Sequence, residues 1–453
     1  MREDIIAAVA TAWGESGISI VRVSGCGSSA LAGKMFKSKR PFESQPARYM
    51  ALVSLCGADG EPFDEALAVR FERGGSYTGE ESAEIQCHGG LIAAQRCVAE
   101  LCRLGARLAL PGEFTRRAFI NGRMDLAQAE AVLGIIKARS DEALKASARS
   151  LQGSLTSEIK NFMEALTELT AALEVDLDFP EEGEGFITKD ESLLRLTALS
   201  SDCAALIQRC RSGMLLREGV RAAIIGRPNV GKSSLLNALL CENRAIVTAT
   251  PGTTRDSIEE TFIHKGLPIR IIDTAGIRAT DDEIEAMGVR RSLKSMEEAD
   301  VVLWILDGSE PFSENGAELL PTGKNHVIVL NKSDLPQVVC EESLRLKFPQ
   351  SPLISVSAAN GSGIEEMKEL IIASVSGGES LSGGCAVTAR QMECLINAAS
   401  ALTEAAAALT AQAGGDLVLS CLAEARGHLA SLLGLDAAEE LLDKVFGNFC
   451  VGK

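Results

Sequence analysis

Apolar positions in the first hundred residues alternate with polar ones in short runs. DIIAAVATA, SGISIVRVSG, ALVSLCG and EALAVRFERG read as strands broken by Gly, Asp and Pro turns, and an amphipathic stretch near Leu91 to Leu104 follows them. The pattern predicts an α+β domain of about 120 residues. From Asp125 the period changes. Leu126, Ala129, Leu133 and Ile136 recur at spacings of three and four; so do Leu155, Ile159, Phe162, Leu166, Leu169 and Leu173, and again Leu196, Leu199, Cys203, Leu206 and Cys210. Each set is one apolar stripe along a helix, and Asp125 with Gln128 has the form of a capping box at the first start. An acidic break, EVDLDFPEEGEGFITKDE, then reads as a solvated loop between two helices.

From Val220 strand and helix patterns alternate. AAII, IRIID, VVLWIL, VIVL and LISV are short, uninterrupted apolar runs, as expected of strands in a parallel doubly wound sheet covered on both faces. A helix over Ile364 to Val375 and a flexible SVSGGESLSGGC linker close this segment. Helical stripes resume with Leu395, Ala399, Leu402, Ala406 and Leu409, and Asp436 with Glu439 suggests a capping box for the last helix. Helices before and after an α/β unit suggest one helical domain with the α/β unit inserted in it. Two separate bundles would give the same stripes.

The length of 453 residues suits roughly three domains. Hydrophobic content of 46% and charged content of 24% exclude a disordered or collagen-like chain. No uncharged apolar run reaches the length of a membrane span, and Glu3 and Asp4 stand where a signal peptide would be basic. Thirteen cysteines without a CxxC pair suit neither a disulfide framework nor a zinc site, so a cytoplasmic, reducing compartment is expected. The net charge is −17, and all of it lies beyond Arg117: the residues up to there carry 14 basic and 14 acidic side chains. Such a chain does not hold nucleic acid by bulk charge.

The chemistry is concentrated in the α/β segment. GRPNVGKS, Gly226 to Ser233, follows a strand and opens a helix, the context of a phosphate-binding loop. Lys232 is expected on the β and γ phosphates and Ser233 on Mg2+. TPGTTRD, Thr250 to Asp256, offers Thr254 to the metal; DTAG, Asp273 to Gly276, offers a carboxylate near it and a glycine NH to the γ-phosphate. In NKSD, Asn331 to Asp334, the aspartate can accept from N1 and N2 of guanine, which favours GTP over ATP. SVSAANG, Ser355 to Gly361, stands where a second base-contacting loop belongs. Ile277 occupies the position of the water-orienting glutamine of Ras-like enzymes, and an isoleucine cannot hydrogen-bond water. DDEIEAMG offers carboxylates instead, Glu285 first among them.

These motifs resemble those of the Era, Der and MnmE group of GTPases. Within it, the ending FGNFCVGK together with GISIVRVSG, YTGEESAEIQCHGG, LPGEFTRRAFINGRMDLAQAEAV, SLQGSL and LLREG resembles the MnmE (TrmE) family of tRNA wobble-uridine modification GTPases along the whole chain. The resemblance implies a multidomain α/β protein: a folate-enzyme-like, tetrahydrofolate-binding and dimerisation α+β domain at 1–119, a discontinuous all-α domain at 120–215 and 379–453, and an inserted Ras-like P-loop GTPase domain at 216–378. It implies nucleotide contacts from Asn229, Val230, Gly231, Lys232, Ser233 and Ser234, from Thr248, Ala249, Thr250, Pro251, Gly252, Thr253 and Thr254, from Asp273, Thr274, Ala275 and Gly276, from Asn331, Lys332 and Asp334, and from Ser357, Ala358 and Ala359. Asn229 with Thr248, Thr250 and Thr253 would hold K+, Ser233 and Thr254 would hold Mg2+, and Glu285 would orient water through a second water. Arg22, Glu84, Arg123 and Lys453 would surround a 5-formyl- or 5,10-methylenetetrahydrofolate.

The partners implied are tRNA, a second copy of the chain, and the FAD protein MnmG in a heterotetramer; a basic partner would then supply the tRNA surface that the acidic chain lacks. Arg22 and Glu84 sit in strand-like segments, where a plain surface ion pair is the alternative. TAWGESG replaces the Pro-rich turn common in the family, and Arg123 stands where lysine is frequent. Cys450 has two readings, a reactive thiolate near Lys453 or a small buried residue behind Phe449. The competing function is a ribosome-assembly GTPase of the Era or Der kind, which would need a basic RNA-binding domain or a second GTPase domain.

Overall fold

The computed structural model describes residues 4–37, 40–178, 187–241, 260–272, 296–312, 325–377, 384–411 and 413–453. Its contacts divide the chain into two units, Met1–Leu133 with Leu151–Leu199 and Glu393–Lys453, and Gly134–Ser150 with Ser200–Met392. The first unit opens on a seven-stranded sheet of β1 (Ile6–Val9), β2 (Ile18–Ser24), β3 (Phe36–Lys37), β4 (Met50–Cys56), β5 (Pro62–Phe71), β6 (Ser82–His88) and β7 (Arg107–Leu108), in the order β3-β4-β5-β6-β2-β1-β7. All pairs are antiparallel except β1 with β7.

The alternation read in the sequence has a direct cause in this sheet. Val21, Val23, Val53, Leu55, Ala66, Ala68 and Ile85 point to one face and are buried under helices α1 (Ser28–Gly33) and α2 (Leu91–Arg103). The other face is partly open. There Leu52 pairs with Leu67 in register, and with Ile18 these apolar side chains stay exposed. At the β1 end the same face is closed by Phe114 of α3 (Glu113–Ile120) and by Tyr77, packed on Ile6 and Ala8. Glu113 anchors α3 by accepting from Arg107 and Arg117. Burial opposes ionisation of Glu113, yet these two guanidinium groups and the NH of Leu110 hold its carboxyl below the usual value.

Helices α4 (Leu126–Lys137), α6 (Ser154–Asp178), α7 (Lys189–Glu218) and α11 (Ala389–Thr410) carry the predicted stripes; α12 (Gly415–Leu433), for which no stripe was expected, precedes the expected last helix α13 (Glu439–Phe446). Leu155, Ile159, Leu166 and Leu169 are buried, as are Leu196, Cys203, Leu206 and Cys210. The divisions between the units fall inside α4, α7 and α11 and before the last residue of the helix Asp141–Leu151. The Asp125–Gln128 capping box is formed, each backbone NH bonding the other side chain at 3.0 and 2.8 Å. The expected box of Asp436 and Glu439 is not: α13 starts after Ala438 without a side-chain cap, and Glu439 pairs with Arg116 instead. A capping box that the sequence reading passed over, Thr388 with Gln391, opens α11. The acidic break is also shorter than expected, since α6 runs on to Asp178 and α7 begins at Lys189; the residues at 179–186 lie outside those described.

The second unit contains α5 (Asp141–Leu151) and a six-stranded sheet of β8 (Val220–Ile225), β9 (Glu260–His264), β10 (Leu267–Ile272), β11 (Val301–Asp307), β12 (Asn325–Asn331) and β13 (Leu353–Ser355), in the order β13-β12-β11-β8-β10-β9. It is parallel as predicted, except that β9 pairs antiparallel with β10 at the edge. Ala222, Ile224, Leu303, Ile305 and Val329 face α8 (Lys232–Cys241) and α10 (Ile364–Ser376); Ala223, Trp304 and Ile328 face the opposite layer with α9 (Glu341–Lys347). Burial on both faces explains the unbroken apolar runs.

Candidate functional site

The loop between β8 and α8 has the backbone that its glycines and Asn229 require. Gly226 lies against β11, where a Cβ would stand 2.5 Å from the carbonyl oxygen of Ile305. Asn229 and Gly231 adopt φ of 66° and 93°, and a Cβ on Gly231 would meet Nδ2 of Asn331 at 2.2 Å. The chain turns through a left-handed loop and enters α8 at Lys232, so its NH groups converge at a helix N-terminus suited to phosphate. Lys232 Nζ donates back to the carbonyls of Gly226 and Arg227 at 2.8 and 2.7 Å, and burial lowers its affinity for a proton. Ser233 and Ser234 are exposed in the first turn of α8, and Val230 is buried.

Asn331, at the end of β12, ties this loop to the expected base loop. Its buried amide donates through Nδ2 to the Val230 carbonyl at 2.8 Å and accepts from the Ala358 NH at 3.1 Å. Asp334 accepts from the Ser357 hydroxyl at 2.6 Å, and the turn through Ala358 and Ala359 is closed by Gly361 NH on the Ser357 carbonyl. NKSD and SVSAANG are thus brought together as the motifs predicted. Sequence reading missed Asp307, at the end of β11, whose carboxylate pairs with Lys332 Nζ at 2.5 Å. Burial raises the Asp307 pKa, but the Lys332 bond and the Ser309 hydroxyl and NH outweigh it, leaving the carboxyl below its ordinary value. A lone aspartate after an apolar strand gives no pattern to find; its position beside β12 carries the information. Asp307 also lines a cavity of about 330 Å3 with Asn229, Pro228 and Glu310. Thr248 to Thr254, Asp273 to Gly276 and Glu285 lie outside the described residues.

A second cluster forms in the first unit. Arg22 and Glu84 are register partners across β2 and β6, and the guanidinium meets the carboxylate at 2.9 Å through both Nε and Nη2. They are largely buried rather than a surface pair, and the end of the chain comes to them. The Phe114 NH donates to the Lys453 carbonyl at 3.2 Å, the Gly112 NH to the Cys450 carbonyl at 3.4 Å, and Arg22 to the Gly452 carbonyl at 3.5 Å. Gly452 takes φ of 97°, and a Cβ there would stand 2.1 Å from the Val9 oxygen. Burial and the neighbouring Arg22 lower the Lys453 pKa, Glu84 opposing them. Arg123 donates to the Ser76 carbonyl, one residue from Tyr77. Cys450 is exposed while Phe449 is buried, which discards the reading of a buried thiol.

Strand, left-handed loop, helix and the Asn331-centred pair of loops define a P-loop protein with the guanine-type NKxD loop. The description of the MnmE helical domain matches residues 126–450, and that of the GTP-binding protein TrmE N-terminus matches residues 5–123. The tRNA modification GTPase MnmE of Symbiobacterium thermophilum is 42% identical, covering 100% of both chains. That of Clostridioides difficile is 41% identical over 100% of this chain and 99% of its own. A crystal structure of Aquifex aeolicus Era bound to GDP.AlF4- is 28% identical over 40% of this chain and 66% of its own, with a TM-score of 0.29. The chain belongs to the MnmE (TrmE) family of tRNA modification GTPases. Among the described residues, no helix is long and apolar enough to cross a membrane.

Proposed function

We propose that the chain is a potassium-activated, cytoplasmic GTPase that acts with MnmG to place an aminomethyl or carboxymethylaminomethyl group on C5 of the wobble uridine of tRNA. The observation that carries this reading is the pairing, in one chain, of a guanine-nucleotide loop set with a separate cation-lined site completed by the last residue. The helical match running from 126 to 450, on both sides of the GTPase segment, supports an α-domain interrupted by an inserted GTPase domain. The TrmE match over residues 5–123 favours this function over an Era- or Der-like ribosome-assembly role, which has no use for such a domain.

Lys232 would meet the phosphates, Asp334 the guanine, and Ser233 with Thr254 the Mg2+. Asn229, exposed in the left-handed turn of the phosphate loop, would offer its side-chain oxygen to K+. Bound there, a monovalent cation would supply the charge neutralisation that an arginine finger supplies elsewhere. Thr248, Thr250 and Thr253 would close that site and Glu285 would orient water, a role Ile277 cannot take. Arg22, Arg123 and Lys453 suit the carboxylates of a tetrahydrofolate derivative, and Glu84 its donor-rich pterin edge. The exposed Ile18, Leu52 and Leu67 on the open sheet face support a homodimer through the N-terminal domain. Two MnmG subunits would complete the heterotetramer, and hydrolysis would drive closing and opening of the GTPase domains. GTP turnover should be faster in KCl than in NaCl of equal ionic strength; equal rates would remove the role given to Asn229.

A further inference from the structure

The residues proposed to hold the one-carbon donor meet at one short segment, Ser76 to Thr78. The Arg22 guanidinium lies over the Tyr77 ring, 4.9 Å from its centroid, and Lys453 Nζ lies 5.9 Å from the same centroid. Arg123 donates to the carbonyl of the preceding residue, Ser76. Phe114 closes on Arg22 as well, at 5.6 Å, and the Tyr77 hydroxyl shares a hydrogen bond with the Thr115 hydroxyl at 2.9 Å. The ring is thereby fixed to α3 and packs against Ile6, Ala8 and Phe114.

The electrostatic problem at this place is plain. Arg22 and Lys453 lie near one another beside the Glu84 carboxylate, in a partly buried setting where like charges repel strongly. An aromatic face carries partial negative charge and attracts cations without offering a hydrogen bond or a counter-charge that would neutralise them. We propose that Tyr77 is a positioning residue that holds the Arg22 and Lys453 cations side by side, so that the site presents them together to an anionic group of its ligand. The inference rests on the one-carbon reading, and the anionic group would be a carboxylate of the glutamate part of a folate. A second carboxylate in place of the ring would hold the cations more tightly but would compete with that ligand; the ring does not.

The proton affinity of the Lys453 amine gives a readout independent of any ligand, because the attraction of the ring is felt only by the charged amine and its loss favours the neutral one. The charged side chains near that amine are Arg22 and Glu84, and both are unchanged in the variants. The experiment takes the full chain as wild type, Tyr77→Phe and Tyr77→Leu, with Tyr77→Met as the alternative apolar variant should leucine prevent folding. Affinity for 5-formyltetrahydrofolate is measured by titration calorimetry, and acylation of the Lys453 amine is followed by mass spectrometry across about pH 8 to 11. Phenylalanine should bind within about twofold of wild type, and the apolar variants about tenfold more weakly. Labelling should set in at lower pH in the apolar variants and be unmoved in Tyr77→Phe. Wild-type binding retained in a folded apolar variant, or an unmoved labelling profile, would overturn the role of Tyr77. If wild type itself fails to bind the probe, the one-carbon reading falls, and the labelling profile still decides whether Tyr77 holds the lysine.

Discussion

Replacing Asn331 with alanine tests how the nucleotide loops are held. The Asn331 side chain is 1% exposed and makes two bonds, to the Val230 carbonyl at 2.8 Å and from the Ala358 NH at 3.1 Å. Truncation leaves both backbone groups unpaired, at about 1–3 kcal/mol each where water cannot replace the amide. Val230 is buried and takes nearly the full cost; Ala358 is half-exposed and takes less, so about 2–4 kcal/mol is expected in all. Part of this appears as lost stability and part as lost order in two loops that must be in place before guanine nucleotide binds. A share of about 1.4–2.8 kcal/mol in the second form is ten- to a hundredfold in affinity. The assay is titration with a fluorescent GDP analogue, paired with urea unfolding. Asn331→Asp is the informative control: it keeps the acceptor for Ala358 but sets an oxygen against the Val230 carbonyl, so it should lose at least as much as alanine. If Asn331→Ala keeps both affinity within twofold and an unchanged midpoint, the amide is not what ties the loops.

Further outcomes follow from other parts of the molecule. Glu285→Ala should retain GTP binding and lose hydrolysis; unchanged turnover would assign the attacking water to another group. Gly452→Ala combines a left-handed φ, at about 1–2 kcal/mol for a residue with a Cβ, with a backbone collision that no rotamer relieves. The last residues should therefore come away and 5-formyltetrahydrofolate binding should be lost, whereas retained binding would show that the tail does not hold Lys453. Asp307 has a pKa depressed in the folded state, so its contribution is full above the ordinary carboxylate value of about 4 and is lost as pH falls through the depressed one. Acid unfolding curves of wild type and Asp307→Asn should converge below about pH 4; a constant gap there would exclude the linkage.

Most of the long helices and most strands were readable because their burial is simple. One-sided helices gave stripes, and strands covered on both faces gave unbroken apolar runs such as VVLWIL. Strand β9, ETFIH, was missed because an edge strand of five mixed residues gives neither pattern. Capping signals show the same limit: Thr388–Gln391 and Asp436–Glu439 look alike in sequence, but Arg116 draws Glu439 away from the second. The phosphate loop was legible because its glycines and lysine stand at a fixed spacing between an apolar strand and a helix; the contacts to Ile305 and Asn331 that demand those glycines come from elements far off in sequence. The approach of Lys453 to Arg22 was not, since no periodicity links residues 430 or so positions apart; only resemblance to a family suggested it. Asp307 and Tyr77 lay hidden for a related reason, each being a single common residue whose meaning comes from its neighbours in space.

The central claim is that this GTPase serves wobble-uridine modification. Mass analysis of nucleosides from tRNA of cells lacking the protein, with and without a plasmid restoring it, tests this most directly. Aminomethyl and carboxymethylaminomethyl uridine should be lost in those cells and should return with the wild-type chain. Unchanged wobble-uridine modification in cells that have no second such enzyme would contradict it.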